Sequence, residues 1–180
     1  TEIYTLSLHD ALPIFWPSSR FVHLGMTSSD LLDTSLALQC KESGEIILKK
    51  LKIFYNILRD MAIQYKDTFQ IGRSHGVHAE PITFGLKLAL WSEEVGRHIT
   101  RFEHSLEDIK FGQISGAVGT YQHLDPSVEI RTCKKLGLHA STVSNQVVQR
   151  DHHAQFLTCL ALIGCTIEKK IGRASCRERV

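Results

Sequence analysis

LKIFYNILRDMAIQYKDTFQIGRSHGVHAEPITFGLKLALW, Leu51 to Trp91, decides how the chain folds. In its first third apolar residues recur at Leu51, Phe54, Leu58, Met61 or Ala62, and Tyr65, the spacing of one face of an α-helix. No proline occurs between Ser28 and Tyr65, so a long helix is predicted over about 28–65, with Gly44 as a point of interruption. The centre, GRSHGVHAEP (Gly72–Pro81), breaks the period. Gly72 and Gly76 flank His75 and permit positive φ or close backbone approach, and Pro81 fits the first turn of a following helix. A second long helix is predicted from about Pro81 to Lys110. Leu88, Trp91, Val95, Phe102, Leu106 and Ile109 form its buried stripe, with Glu93, Glu94, Arg97 and Arg101 mostly outside it.

Beyond this pair, FGQISGAVGT (Phe111–Thr120) is a glycine-rich connection. A short helix starts at Asp125-Pro126, where aspartate caps and proline occupies the first position, and stops near Gly137. The last predicted helix runs from about Ser144 to Lys170. With almost no period-two alternation the fold class is all-α, and helices this long predict an elongated bundle that buries further surface against other helices or subunits. The most apolar run, Phe156–Ile167, is shorter than the roughly 20 residues a membrane helix needs and contains threonines, so no membrane partner is expected. The formal charge is +2, with bases and acids interspersed, which leaves no nucleic-acid footprint. Cys40, Cys133, Cys159 and Cys165 show no CxxC spacing; scattered thiols of this kind point to a reducing, cytoplasmic setting.

The two ends read as something other than protein. One legal codon choice for Ile171–Val180, reverse-complemented and read one base out of frame, translates as Thr5–Pro13, nine consecutive residues. The DNA resembles a short-read sequencing adapter. Residues 1–14 and 171–180 are therefore expected to be adapter-derived, leaving 15–170 as the domain to interpret. The charge is unchanged by trimming, since Glu2 and Asp10 at one end balance the net charge of Arg173, Arg177, Glu178 and Arg179 at the other.

Four stretches carry candidate chemistry. His75, on a turn flanked by glycines, suits a proton donor, because imidazole titrates near neutrality; a histidine capping a helix or satisfied in a packed turn fits the same pattern. HLGMTSSD (His23–Asp30) places Thr27, Ser28 and Ser29 at the mouth of the first helix, where backbone amides and the helix dipole favour an anion. Plain N-capping by Ser28 or Ser29 is the commoner role of such residues. SNQVVQRDHH (Ser144–His153) brings Gln146, Gln149, Arg150 and Asp151 to another helix start, and polar caps explain it equally well. SGAVGT lacks the lysine and spacing of a phosphate-binding loop and reads better as a tight connection. Neither His75 with His78 nor His152 with His153 has the further ligands of a zinc site, and no metal or cofactor is expected. Cys159 and Cys165 lie in an apolar stretch where inert packing is the default.

Taken together, FVHLGMTSSDLLDTSLAL, GRSHGVHAEPITFGLKLALW, SGAVGT and QVVQRDHHAQFLTCLALI, in this order and spacing, resemble the adenylosuccinate lyase family of the fumarase/aspartase superfamily. The resemblance covers essentially all of 15–170. It implies a central helical bundle, incomplete in this chain, in a homotetramer whose sites draw on several subunits. It also implies small-molecule substrates, adenylosuccinate and the succinyl-carboxamide ribotide of purine biosynthesis, each cleaved to release fumarate. The family's general acid falls on His75; Thr27 and Ser28 match the residues that bind substrate oxygens, and Gln146 matches a substrate-binding glutamine. Ser74 stands where a threonine commonly precedes the acid, and His23 and Arg150 are expected near the site. The family's base, a serine on an SSxMPxKxNP-type loop, and its arginine-histidine-aspartate segment are absent from the matched region, so this stretch alone is expected to be inactive. Argininosuccinate lyase or a cycloisomerase would share the bundle but not the GVHAEP context, and a catalytically silent oligomerisation module is the reading from a different class.

Overall fold

The computed structural model describes residues 21–175. Residues 1–14 and 176–180, within the segments read as adapter-derived, lie outside the described residues. In chain order the elements are α1 (Ser28–Gln64), β1 (Phe69–Ser74), β2 (Val77–Thr83), α2 (Phe84–Asp108), β3 (Phe111–Gly112), α3 (Pro126–Leu136), β4 (His139–Ala140) and α4 (Asp151–Ser175). β1 and β2 form an antiparallel hairpin, and β3 and β4 a minimal parallel pair. The framework is helical, as expected. The chain divides into two compact units, Thr1–Gln39 with Lys110–Gln149 and Cys40–Ile109 with Arg150–Val180, and α1 contributes to both.

The core of the second unit is the predicted one. Leu51 and Leu58 of α1 meet Leu88, Val95, Phe102, Leu106 and Ile109, together with Phe156 and Ile163 of α4. Phe102 and Phe156 lie with ring centroids 5.5 Å apart. Helix α1 is not interrupted at Gly44; a Cβ there would come 2.6 Å from Leu106 Cδ1, so this glycine serves close helix packing and not a break. A polar chain crosses the edge of this core. Lys169 Nζ donates to Glu94 at 2.6 Å, the Thr166 hydroxyl donates to Glu94 at 3.0 Å, and His98 Nε2 lies 2.8 Å from Thr166 Oγ1. Since the hydroxyl donates to the carboxylate, the imidazole donates to the hydroxyl, which assigns the Nε2–H tautomer.

Glu94 and His98 in this chain make the unit acid-sensitive. The Lys169 ammonium holds the Glu94 carboxyl below its usual 4.5, and burial, followed by the nearby Arg101 charge, holds His98 below its usual 6.5. In each case the unfolded chain binds protons that the folded one refuses, so stability falls as pH falls. The urea midpoint is expected to decline below pH 6.5 as unfolded His98 protonates, and further below 4.5 as Glu94 follows. Glu94→Gln should weaken the lower phase; a profile flat down to pH 4.5 would contradict the assignment.

Two helix starts differ from expectation. Pro81 is not in the first turn of α2 but in β2, opposite Ile71. A two-stranded ribbon has only edges, so a residue without an N–H is tolerated there. Helix α2 starts at Phe84, capped by Thr83, whose hydroxyl accepts the Leu86 N–H at 3.1 Å. The amides of Phe84 and Gly85 donate to Thr68 O and Tyr65 O at the end of α1, at 2.8 and 2.9 Å. Helix α4 likewise starts at Asp151, not Ser144, and runs to Ser175, past the expected end at Lys170. Residues 144–148 are held out of a helix: Asn145 Oδ1 accepts the Val147 N–H at 2.9 Å, and Asp33 Oδ2 accepts the Val148 N–H at 2.9 Å. Side-chain acceptors of this kind compete with helical bonding.

The first unit has a small core of Ala37, Cys133 and Leu138. Helix α3 follows its sequence signals at both ends. Asp125 Oδ1 accepts the Ser127 N–H at 2.8 Å, and Gly137 closes the helix at φ 65°. Its N–H reaches Lys134 O while the Leu138 N–H reaches Cys133 O, the paired bonds of a Schellman ending. Burial and the Glu129 charge push the Cys133 thiol up to about 11, so it is a packing residue and not a nucleophile.

Candidate active site

His75 occupies the tip of the β1–β2 hairpin. Ser74 pairs with Val77, leaving His75 and Gly76 as a two-residue turn with φ of 52° and 77°. Positive φ at both central positions is what a type I′ connection requires, and its twist matches that of the strands. The register slips between Ile71 and Arg73. This bulge is at Gly72, where a Cβ would lie 2.5 Å from Glu80 O. Sequence reasoning therefore located a turn around His75 but placed it at a helix entrance. Instead the amides at the start of α2 are occupied by Thr83, Thr68 and Tyr65, and His75, Ser74 and His78 are exposed on the ribbon. Among the described residues the imidazole caps no helix start, and it is exposed at the hairpin tip.

In the other unit, the start of α1 is built around Asp30. This carboxylate is fully buried and accepts three backbone N–H groups: Thr27 at 3.0 Å, Ser115 at 3.2 Å and Gly116 at 3.0 Å. Thr27 O accepts the Asp30 N–H in return. Capping thus falls to the Thr27–Asp30 pair and not to Ser28 or Ser29. Among the described residues no bond engages the side chains of Thr27, Ser28 or Ser29, all half-buried. They remain free to meet oxygen atoms of a ligand, beside a helix start that favours negative charge.

The glycine-rich connection is tied to the same carboxylate. Ile114 N–H donates to Glu129 Oε2 at 2.7 Å, the Tyr121 hydroxyl donates to Glu129 Oε1 at 2.8 Å, and Ser115 and Gly116 donate to Asp30. Three successive amides that could have cradled a phosphate are thereby satisfied by the protein's own carboxylates. SGAVGT is a connection, as its composition suggested. Gly119, at φ 78°, passes against the Ser144 carbonyl with no room for a Cβ, and Ser144 Oγ donates to Ser115 Oγ at 2.8 Å.

Gln113 extends this network to Gln146. Its backbone N–H and carbonyl exchange bonds with the Thr34 hydroxyl at 3.1 and 3.0 Å. Its carboxamide donates to Gln146 O at 2.8 Å and, at longer range, to Asn145 O at 3.5 Å. The Gln146 side chain is left exposed. Thr27, Ser28 and Gln146 thus belong to one hydrogen-bonded assembly in the first unit, where His23 sits nearby in sequence on an exposed turn at φ 64°. His75 and Ser74 belong to the second unit, as does Arg150, whose carbonyl accepts the Ala154 N–H at the start of α4.

Asp30, Gln113 and Glu129 were not singled out as site residues from sequence. For Asp30 a signal existed: T-S-S-D is the spacing of a capping box, with a carboxylate three residues after the cap. Gln113 and Glu129 gave none, because their partners lie in distant or irregular segments.

A sequence model of the lyase family matches residues 10–173, and the chain belongs to that family. Among individual relatives, the adenylosuccinate lyase of Bacillus subtilis (strain 168) is 51% identical over 150 residues, which is 83% of this chain and 35% of the relative. That of Synechocystis sp. is 49% identical over 152 residues, 84% of this chain and 35% of the relative. In structure the chain is similar to a fumarate lyase from Mesorhizobium sp. BNC1, with a TM-score of 0.83 and 28% identity over 88% of this chain and 38% of that one. The chain spans about a third of the length of the curated relatives it matches.

Proposed function

We propose that this chain is part of an adenylosuccinate lyase, a carbon–nitrogen lyase that eliminates fumarate from adenylosuccinate, giving AMP, and from the succinyl-carboxamide ribotide. The observation that carries this reading is the 51% identity to an adenylosuccinate lyase over 150 residues, a stretch long enough to include both the histidine hairpin and the start of α1. In the reaction a base takes the carbon-bound proton beside a carboxylate. The C–H electrons then form the double bond of fumarate, the C–N bond breaks, and the electron pair left on nitrogen takes a proton from an acid.

His75 is that acid. Thr27 and Ser28 hold substrate oxygens at the helix start, and Gln146 binds substrate, with Ser74, His23 and Arg150 as neighbours. A serine on a loop outside this chain supplies the base, so residues 15–170 alone do not turn over. Exposed Ile46, Ile53 and Ile57, seven and four residues apart on α1, support burial of this helix against a partner, which in this proposal is another copy in a homotetramer. No described helix is long and apolar enough to cross a membrane; the cytoplasmic setting is part of this proposal.

The test is fumarate release by the full-length protein from adenylosuccinate and from argininosuccinate. Turnover of the first is expected; turnover of argininosuccinate alone would transfer the chain to a neighbouring family, and turnover of neither would favour a silent bundle.

A further inference from the structure

The assignment of Gln146 to substrate leaves open what aims it, since it lies on an irregular segment and its side chain projects from the surface. Resting on that assignment, we infer that Gln113 is a positioning residue for substrate binding, which fixes the Gln146 peptide relative to Thr27 and Ser28. Gln113 is fully buried and does not touch substrate itself. Through its backbone it is bonded to Thr34, two turns into the helix that begins at Ser28. Through its carboxamide it grips Gln146 O at 2.8 Å. Its chain neighbours Ile114, Ser115 and Gly116 are anchored to Glu129 and Asp30, and Asp30 in turn holds Thr27. Gln113 therefore connects the hydroxyl-bearing helix start to the glutamine-bearing segment. Displacements of about 1 Å in such a frame are enough to change substrate handling by one to two orders of magnitude.

Gln113→Met keeps the volume of the side chain and removes its donors. The Thr34 bonds survive, because they use only the Gln113 backbone, and water can replace the lost partner at the exposed residues Asn145 and Gln146. The variant is therefore expected to fold. Gln113→Leu, apolar and without donors, repeats the test should the methionine variant prove insoluble.

The experiment is a double-mutant cycle in the full-length protein, reading KM and kcat for adenylosuccinate in Gln113→Met, Gln146→Ala and the double variant. Each single change is expected to raise KM about tenfold, with kcat less affected, and the double variant to be no worse than Gln146→Ala alone, as coupled residues require. A KM unchanged in Gln113→Met, or effects that multiply in the double variant, would overturn the positioning role while leaving Gln146 a substrate residue. An unchanged KM in Gln146→Ala would overturn both assignments.

Discussion

If His75 is the proposed acid, replacing it with asparagine is expected to lower kcat for adenylosuccinate by about 10²–10⁴-fold in the full-length protein, the range a single general acid contributes, and to leave the fold intact. The substitution is selective because of the turn. His75 is at φ 52° and is followed by Gly76 at φ 77°, and Asn-Gly is the favoured pair for a connection with two positive φ values. Asparagine also tolerates the left-handed region better than most residues. The hairpin therefore keeps its register, Ser74 still faces Val77, and only the proton donor is lost. Alanine is a poorer probe, because part of its effect would come from backbone strain. Circular dichroism and the urea midpoint should match the parent protein. Retention of kcat within about threefold, far below the general-acid range, would remove His75 as the acid and leave the hairpin a structural element.

The second large effect falls on stability. Asp30→Ala deprives three backbone N–H groups, of Thr27, Ser115 and Gly116, of their acceptor, at a residue with no exposed surface. Each unsatisfied buried donor costs about 1–3 kcal/mol; partial relaxation should leave a net loss of about 3–5 kcal/mol in urea unfolding. The internal control is Asp125→Ala, which removes a cap from an exposed helix start and should cost distinctly less. Equal losses in the two variants would mean that water reaches the Asp30 amides and that the junction is not sealed.

These contrasts show which parts of the molecule were legible in the sequence. The helices were, where one face is apolar and the ends carry local signals: the stripe from Leu88 to Ile109, and Asp125 with Gly137 around α3. Pro81 misled because proline near a helix start and proline on a ribbon edge obey the same requirement, the absence of a needed N–H. The period-two signal of the hairpin was weak, since both its faces are largely exposed. Ser144 misled because its segment is polar enough to cap a helix, while beside the local Asn145 bond the bonds that keep it irregular come from Asp33 and Gln113, residues far away in the chain. The candidate ligand-facing residues announced themselves through chemistry on single short stretches. Apart from the capping-box spacing of Asp30, the groups that hold them did not, because the bond from Gly116 to Asp30 spans 86 positions and that from the Gln113 carboxamide to Gln146 spans 33, and periodicity carries no information over such distances.

Anchoring the amides of Ile114, Ser115 and Gly116 on Glu129 and Asp30 also bears on the thermodynamics of ligand capture. A loop that waits for an anion to order it loses conformational entropy when the ligand arrives, and affinity is reduced by that amount. Here the counter-charges are tethered to the fold, and the connection is ordered when the first unit folds. If the helix start and the Gln146 segment bind substrate as proposed, they would do so as a surface whose backbone is already held by Asp30 and Gln113.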